Sequence, residues 1–246
     1  MRDAVVLITG AARRIGAAIA RRLHGDGARV VVHCYRSRAH ADALAQEFNR
    51  ARAHSCAVVQ GDLLDIERLP SLVEEAASAF GRLDALVNNA SSFYATPFGS
   101  IGAREWDDLI GTNLRAPLLL AQAAASHLRA QRGAIVNLVD IHAERPLKNF
   151  LVYSVAKAGL AGLTRALALE LAPEVRVNGV APGAILWPDD GEHFEVSERE
   201  RIARATPLAR IGTPEEVAGA VKYLLLDAPF VTGQVLAVDG GRAIHL

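Results

Sequence analysis

Two side chains that could move a proton, Tyr153 and Lys157, stand four residues apart in the sequence. The residues after them are rich in Ala and Leu, which predicts a long helix with no proline before Pro173. Residues i and i+4 share one face of a helix, so the phenol and the ammonium should be neighbours. A neighbouring ammonium favours the phenolate and would lower the pKa of Tyr153 from about 10 toward neutral pH. Such a Tyr can deliver a proton while a hydride is transferred, although so short a pattern is more often a half-buried Tyr beside a solvated Lys.

A carboxylate, Asp140, comes directly after the apolar run 134–139, which predicts a strand. In open α/β sheets, ligands bind at the edge where such strands end. Asp140 is therefore expected near Tyr153 if this edge holds a site, and a plain turn-forming role explains it equally well.

The elements that must position these residues alternate from one end of the chain to the other. Seven apolar, β-branched runs predict strands, and helical stretches of ten or more residues separate most of them. The predicted strands are 4–9, 28–34, 55–60, 85–89, 134–139, 175–180 and 234–239. This pattern predicts an α/β fold: a single doubly wound Rossmann-type domain over residues 1–246, with a seven-stranded parallel sheet and helices on both faces.

Composition excludes several classes of function. The chain has 27 basic and 27 acidic residues, so it has no overall field that would attract nucleic acid or an anionic membrane. Two cysteines provide neither a disulfide framework nor metal-ligand spacing, so no metal site is expected. No signal-like segment precedes the first strand and no apolar run approaches the roughly 18 residues of a membrane span, so we expect a cytoplasmic protein.

Residues 10–16 follow the first strand and lead into a helix, and they contain the pattern of a nucleotide-binding turn. Gly10 and the alanines after it allow a pyrophosphate to approach the backbone, and the helix N-terminus provides amide donors and positive potential. Gly16 allows the helix and the strand to pack closely.

The end of the second strand indicates which nucleotide is bound. An NAD site would place an acid there for the ribose hydroxyl, but no acid occurs until Asp42. Arg36 and Ser37 suit a 2′-phosphate instead, so we expect NADPH, although a solvated Arg36 is a competing explanation. Asp62 should lie near the adenine. Asn113 lies in a predicted helix, where a structural hydrogen bond and a part in a proton relay are both open.

Together these residues resemble the short-chain dehydrogenase/reductase family, in the family's order over nearly the whole chain. The matches are the turn at 10–16, Asp62, residues 88–90, Asn113, Tyr153 with Lys157, and residues 182–183. There are two departures: Arg14 stands where the family usually has Gly, and Asp140 stands thirteen residues before Tyr153 where the family usually has a catalytic Ser.

Both departures resemble the pteridine reductases, as do Arg36 with Ser37 and the segment 88–93. The resemblance implies a homotetramer that reduces pterins or folates with NADPH, with residues 231–246 at a subunit interface. It implies Asp140, Tyr153 and Lys157 as catalytic residues. The implied substrate contacts are Arg14, Ser91, Phe93 (stacked on the pterin), Asp140 and Tyr153. The cofactor contacts assigned from the motifs and the resemblance are Gly10, Arg14, Ile15, His33, Arg36, Ser37, Asp62, Leu63, Asn89, Ala90, Ser91, Tyr153, Lys157 and Gly183.

Two other functions remain open. One is an NADPH-dependent carbonyl or 3-oxoacyl reductase of the same family, which Asp140 disfavours because a carboxylate would repel a developing oxyanion. The other is a non-catalytic NADP(H)-binding sensor, which would not need the Tyr153–Lys157 pair. Residues 184–206 form either a substrate loop or an ordinary surface excursion.

Overall fold

The computed structural model describes residues 3–187 and 195–245, and its centre is one parallel sheet of seven strands in the order β3-β2-β1-β4-β5-β6-β7. The strands are β1 Val5–Ile8, β2 Arg29–Cys34, β3 Cys56–Gln60, β4 Ala85–Asn88, β5 Ala134–Leu138, β6 Arg176–Pro182 and β7 Val235–Val238. All seven predicted strands are present, and the α/β fold class with a parallel sheet is confirmed.

Helices cover both faces of the sheet, as the continuous apolar strands predict. The helices are α1 Arg14–Gly25, α2 Arg38–Ala51, α3 Leu69–Ser78, α4 Ala103–Ile110, α5 Ala116–Gln131, α6 Leu151–Glu170, α7 Val196–Ala205, α8 Pro214–Lys222 and α9 Arg242–His245. Along β1, Val6 and Ile8 face one apolar cluster with α1, α2 and α8, whereas Val5 and Leu7 face a second cluster with α3 and α5.

The strand order reverses at β1, which pairs with β2 on one side and with β4 on the other. In sheets of this kind, the crevice outside the carboxyl ends of the strands at the reversal is where ligands bind. The ends of β1, β4 and β5 lie side by side at this edge, since β4 also pairs with β5 in parallel. The turn after β1, the segment after β4 and Asp140 after β5 therefore lie at the same edge.

Local signals in the sequence fix several helix ends. Thr213 caps α8: its hydroxyl accepts a hydrogen bond from the Glu216 amide at 3.3 Å, and the Glu216 carboxylate accepts one from the Thr213 amide at 2.8 Å. Within the 184–206 loop, Val196–Ala205 form the short charged helix α7. Residues 188–194 of this loop lie outside the described residues. Over the ranges that the structure describes, no helix is long and apolar enough to cross a membrane.

Candidate active site

The hydroxyl of Tyr153 donates a hydrogen bond to Oδ2 of Asp140 at 2.7 Å, and this contact is the centre of the site. Tyr153 lies in the first turn of α6 and is 4% exposed, while Asp140 is half-buried just beyond β5. The other carboxylate oxygen of Asp140 accepts the His142 amide at 2.8 Å and caps the 3-10 turn Ile141–Ala143. Asp140 therefore forms the turn and also engages the tyrosine, so the two roles that the sequence allows coexist.

The pKa of Tyr153 shifts in the direction opposite to our expectation. Burial raises the pKa well above its ordinary value, and the charge of Asp140 and its hydrogen bond raise it further. Lys157 does share the buried face of α6, but its ammonium donates to the carbonyl of Leu138 at 2.7 Å and lies 5.6 Å from the centroid of the Tyr153 ring. The prediction that Lys157 lowers the pKa of Tyr153 is wrong for this state, because burial and Asp140 outweigh the ammonium.

Lys157 is itself shifted. Burial lowers its pKa to about 8, although the neighbouring charge of Asp140 opposes that shift. The lysine is 3% exposed, so it is a buried base rather than the solvated helix charge of the alternative explanation. Near neutral pH the site therefore holds a protonated Tyr153 phenol and a buried Lys157 ammonium.

The segment that follows β4 is held by Asn113, which is 1% exposed. The hydroxyl of Ser91 donates to Oδ1 of Asn113 at 2.6 Å, and the Asn113 amide nitrogen donates to the carbonyls of Ser92 and Leu109, each at 2.9 Å. Asn113 lies in one turn of π-helix, Gly111–Arg115, between α4 and α5. Such turns occur often at functional sites. These contacts are structural hydrogen bonds, which is one of the two roles that the sequence leaves open for Asn113.

Phe93 lies beside the Tyr153–Asp140 pair. Its ring stacks on Phe150 with the centroids 4.6 Å apart and meets the ring of Tyr153 edge-on at 4.8 Å. Phe150 directly precedes α6 and is 7% exposed, so it provides a fixed support behind Phe93. Phe150 was not predicted from the sequence, because no spacing pattern connects a residue before α6 with the segment after β4.

The turn after β1 is closely packed, as a dinucleotide-binding turn requires. Gly10 has a φ of +61°, and a Cβ on Gly16 would lie 2.4 Å from the carbonyl oxygen of Gly10 and 2.6 Å from the Asn89 amide nitrogen. Asn89 donates to the carbonyls of Thr9 and Gly10 at 2.8 and 3.1 Å, which joins the turn to the end of β4. The N-cap residue of α1, Arg13, makes no side-chain capping hydrogen bond, so its side chain does not compete with a phosphate for the amides at the helix N-terminus.

Arg14, one of the two departures from the family pattern, has both an unfavourable backbone conformation and a specific contact in the structure. Its φ is +55°, in the left-handed region that favours the usual Gly, so Arg is strained at this position. Its guanidinium donates to the carbonyl of Trp187 at 2.9 Å. Arg14 therefore connects the turn after β1 with the start of the 184–206 loop.

Basic side chains also surround a cavity of about 340 Å³ where α1 and α2 meet. Arg13, Arg14 and His40 contribute to its wall, and an ion pair between Arg21 and Glu47 at 2.9 Å contributes another part. Arg13 was not predicted from the sequence, because the pattern of a nucleotide-binding turn lies in its glycines and does not mark a basic residue between them.

The structure does not support a direct cofactor contact by the His33 side chain. The ring is 1% exposed, and its two nitrogens lie 3.2 Å from the Gly10 amide and 3.2 Å from the Gly61 carbonyl. Both nitrogens are thus occupied by the protein itself, so the earlier assignment is corrected to an indirect role.

Other expected cofactor residues lie at the carboxyl ends of their strands. Arg36 is exposed and lies over the ring of Tyr35 at 4.8 Å, and Ser37 precedes α2. The carboxylate of Asp62 accepts the Leu64 amide at 2.9 Å. Leu63 is buried, Ile15 lies at the start of α1, and a Cβ on Gly10 would lie 3.0 Å from the Cα of Ala90.

Gly183 has a packing role that is independent of any ligand. A Cβ there would lie 2.8 Å from the Cβ of Asp239, and its amide donates to the Val238 carbonyl at 3.0 Å. Over residues 3–187 and 195–245, no group of three or more His, Cys, Asp or Glu side chains could hold a metal ion.

Comparison with known proteins identifies the family. A family model described as enoyl-(acyl carrier protein) reductase matches residues 10–243. Pteridine reductase 1 of Leishmania tarentolae is 39% identical over 281 aligned positions that cover 98% of this chain and 96% of the relative. The chain belongs to the short-chain dehydrogenase/reductase family. It is therefore an oxidoreductase of the class that uses a nicotinamide cofactor.

Other relatives of this family match nearly as well. 3beta-Hydroxysteroid dehydrogenase 1 of Eggerthella lenta is 36% identical, with 100% of this chain and 95% of the relative covered. The 3-oxoacyl-(acyl-carrier-protein) reductase FabG of Staphylococcus aureus is 35% identical, with 96% of each chain covered. Identities this close do not decide between substrates, so the substrate must be argued from the site.

Proposed function

We propose that this protein reduces a pterin or a dihydrofolate with NADPH, and that the Asp140–Tyr153 pair delivers the proton. The observation that carries this proposal is the 2.7 Å hydrogen bond from the Tyr153 hydroxyl to Asp140. A relative named pteridine reductase 1, 39% identical over nearly the whole chain, gives independent support.

The residues present fit the cofactor. NADPH, when bound, supplies a hydride. We propose that the turn at residues 10–16 and the N-terminus of α1 hold its pyrophosphate, and that Arg36 and Ser37 hold the 2′-phosphate. The small residues Ala90 and Ser91 would let it approach the end of β4. Gly183, Asp62, Leu63 and Asn89 complete the proposed contacts.

The proton chemistry follows from the raised pKa of Tyr153. Reduction of a C=N bond needs a hydride on carbon and a proton on nitrogen. If Tyr153 gave up its proton while Asp140 was ionised, a phenolate and a carboxylate would lie together in a buried site, which burial and like charge both oppose. Delivery therefore starts from the form in which Asp140 is protonated as well. The observed hydrogen bond is then the form that remains after one proton has left the pair.

Lys157 has a supporting part in this scheme. Its buried ammonium offsets the negative charge that remains on the pair after delivery, without contacting the phenol directly. Because its pKa is about 8, this charge is lost as the pH rises above that value. Proton delivery should therefore weaken at alkaline pH.

Phe93 and Ser91 would position the substrate. The ring of Phe93, supported by Phe150, would stack on a flat heterocycle in the offset arrangement that aromatic pairs prefer. Ser91 is exposed at the mouth of the site and is oriented by Asn113. A rigid aromatic wall next to a proton donor suits a planar ring with a C=N bond.

The competing function is a carbonyl or 3-oxoacyl reductase, which the 35% identity to a 3-oxoacyl reductase keeps open. The aromatic wall beside Tyr153, formed by Phe93 and Phe150, favours the pterin, because a ketone needs no flat surface on which to stack. A non-catalytic NADP(H) sensor would leave the buried pair without a purpose.

The experiment is NADPH oxidation with dihydrobiopterin, dihydromonapterin, dihydrofolate and a model ketone in parallel. We expect turnover of at least one pterin or folate, and loss of that turnover in Asp140→Ala and Tyr153→Phe with NADPH binding retained. Turnover of the ketone alone would favour the carbonyl reductase. Binding of NADPH by the wild type without turnover of any pterin, folate or ketone would favour the sensor.

We also propose that residues 1–246 form one domain, since the seven strands share one sheet, and that four copies assemble. The proposed contact is the C-terminal region, where the edge strand β7 leaves Leu236 40% exposed and Ile244 in α9 is 84% exposed. Light scattering should give the mass of a tetramer, and the mass of a monomer would contradict this assembly.

A further inference from the structure

His33 is the fifth residue of β2. It lies beneath the turn at residues 10–16, which we call the phosphate turn because it is the proposed pyrophosphate site, and joins it to the end of a neighbouring strand. The amide of Gly10, two residues beyond β1, donates to Nδ1 of His33 at 3.2 Å. On the other side of the ring, Nε2 lies 3.2 Å from the carbonyl oxygen of Gly61, the residue after β3. A single buried imidazole thus connects the loops that follow β1 and β3.

These partners determine the form of the ring. The Gly10 amide can only donate, so Nδ1 must carry a lone pair, and the Gly61 carbonyl can only accept, so Nε2 must carry the hydrogen. The ring is therefore neutral. Burial lowers the pKa of His33 to about 4, although the Gly61 carbonyl and the charge of Asp62 oppose this shift. The neutral tautomer is the form present near neutral pH.

The main chain of the same residue holds the next amide of the turn. The Ala11 amide donates to the His33 carbonyl at 3.0 Å. His33 therefore uses the first two amide donors after Thr9, one through its ring and one through its backbone. Gly10 has a φ of +61° at this point, so the ring fixes a backbone conformation that residues other than glycine rarely adopt.

We propose that His33 is a positioning residue for the cofactor: its neutral ring fixes the backbone at Gly10 in the shape that a dinucleotide phosphate requires, without contacting the cofactor. This inference rests on the NADPH site of the proposed function. It differs from a stabilising role alone, since a fixed turn raises affinity for the cofactor by removing the cost of ordering that turn on binding. Once the cofactor is bound, the chemical step should proceed at its normal rate.

Two substitutions separate the two hydrogen bonds of the ring. In His33→Asn the side-chain oxygen can lie near the position of Nδ1 and accept the Gly10 amide, whereas the bond to Gly61 is lost. In His33→Gln the amide nitrogen can lie near the position of Nε2 and donate to Gly61, whereas the bond to Gly10 is lost. His33→Leu loses both, and it shows the full effect.

The measurements are the NADPH dissociation constant, from the quenching or enhancement of its fluorescence, and kcat at saturating NADPH. We expect His33→Leu and His33→Gln to raise the dissociation constant about tenfold, the scale of one lost buried hydrogen bond. His33→Asn should stay within about twofold of the wild type, and kcat should change less than about twofold in all three.

A matched control is His24→Leu. His24 is a partly buried imidazole that bonds Ser55 at 2.8 Å and stacks on Phe48, away from the phosphate turn. It should lower stability without changing the NADPH dissociation constant. If His33→Leu does not fold, the polar Asn and Gln variants decide the question.

Several outcomes would overturn the inference. One is an NADPH dissociation constant that is equal in the wild type and in His33→Gln. Another is an Asn variant that binds NADPH no more tightly than the Gln variant. A third is a fall in kcat of the same size as the loss of affinity. A wild-type protein that binds neither NADPH nor NADH would instead overturn the proposed function, and the positioning role with it.

Discussion

At the scale of single residues, the proton of Tyr153 is directed at Asp140 while the side chain of Lys157 reaches a backbone carbonyl. The spacing of Tyr153 and Lys157 correctly predicts that they share a helix face, but it cannot show where the end of a long side chain points. Nor can it show that a residue thirteen positions earlier is in contact with the phenol. The expected direction of the pKa shift was wrong for this reason, although the structure does bring Asp140, Tyr153 and Lys157 together.

A prediction at this scale concerns the cofactor. Arg36→Ala should raise KM for NADPH by about tenfold or more while KM for NADH changes little, because only NADPH carries the phosphate that a guanidinium can bind. Arg38→Ala is the matched control, since Arg38 is also exposed but forms an ion pair with Asp42 at 2.8 Å. A loss that is equal for both nucleotides, or equal in both variants, would contradict the assignment of Arg36.

At the scale of elements, the strands and their carboxyl edge follow from the sequence almost to the residue. Buried parallel strands need continuous apolar runs, and turn residues end those runs sharply. The π-helix Gly111–Arg115 did not follow, because its pattern of apolar residues is that of an ordinary helix. This turn of π-helix contains Asn113, which holds the segment from Ser91 to Phe93.

A second prediction tests that support. Asn113→Ala leaves the carbonyls of Ser92 and Leu109 without the donor that Asn113 provides, so we expect a loss of about 1–3 kcal/mol in the free energy of unfolding. Because Ser91 and Phe93 also lose their anchor, KM for the pterin should rise more than KM for NADPH. Urea unfolding and steady-state kinetics measure the two effects.

Thr112→Ala is the control for Asn113→Ala. Its hydroxyl lies in the same π-helical turn and, among the residues that the structure describes, has a single long contact, with the Ser92 hydroxyl at 3.4 Å. It should have a small effect on both measurements. If Asn113→Ala matched it in stability and in both KM values, the anchoring role of Asn113 would be wrong.

At the scale of the whole molecule, the site imposes its own pH dependence on stability. Lys157 has a pKa of about 8 in the folded protein and about 10.4 in an unfolded chain. Between these values the unfolded state binds more protons, so this residue makes stability rise with pH over that window. The cost of burying the ammonium is fully present below about pH 8 and diminishes above it.

A third prediction follows for Lys157→Met, which has no titrating group. The stability of the wild type relative to this variant should rise by up to about 3 kcal/mol between pH 8 and pH 10.4. Urea unfolding of both proteins across this range measures the difference, and groups common to both cancel. A difference that is independent of pH would show that the ammonium is not desolvated as the structure indicates.

A fourth prediction concerns acid, where His33 acts in the opposite part of the pH scale. Its pKa is about 4 when folded and about 6.5 when unfolded, so the unfolded state takes up a proton first as the pH falls. Relative to His33→Asn, the wild type should lose up to about 3 kcal/mol between pH 6.5 and pH 4. Parallel acid unfolding curves for the two proteins would contradict the buried neutral ring.

The order of the strands also belongs to the whole molecule and was not available from the sequence. Seven apolar runs predict seven strands, but the reversal at β1 follows from which strands pair, and pairing depends on contacts far apart in the chain. That reversal creates the crevice at which Asp140, Tyr153 and the phosphate turn lie at a common edge. The candidate residues at this edge were therefore predictable one by one, and their geometry was not.

The measurement that tests the central proposal most directly is a double-mutant cycle on kcat for the pterin, with Asp140→Asn, Tyr153→Phe and the double variant. If the pair delivers one proton as a unit, each single variant should lose about 100-fold or more and the double variant should be little worse than either. Losses that multiply in the double variant would show that Asp140 and Tyr153 act independently. That result would contradict the shared-proton mechanism.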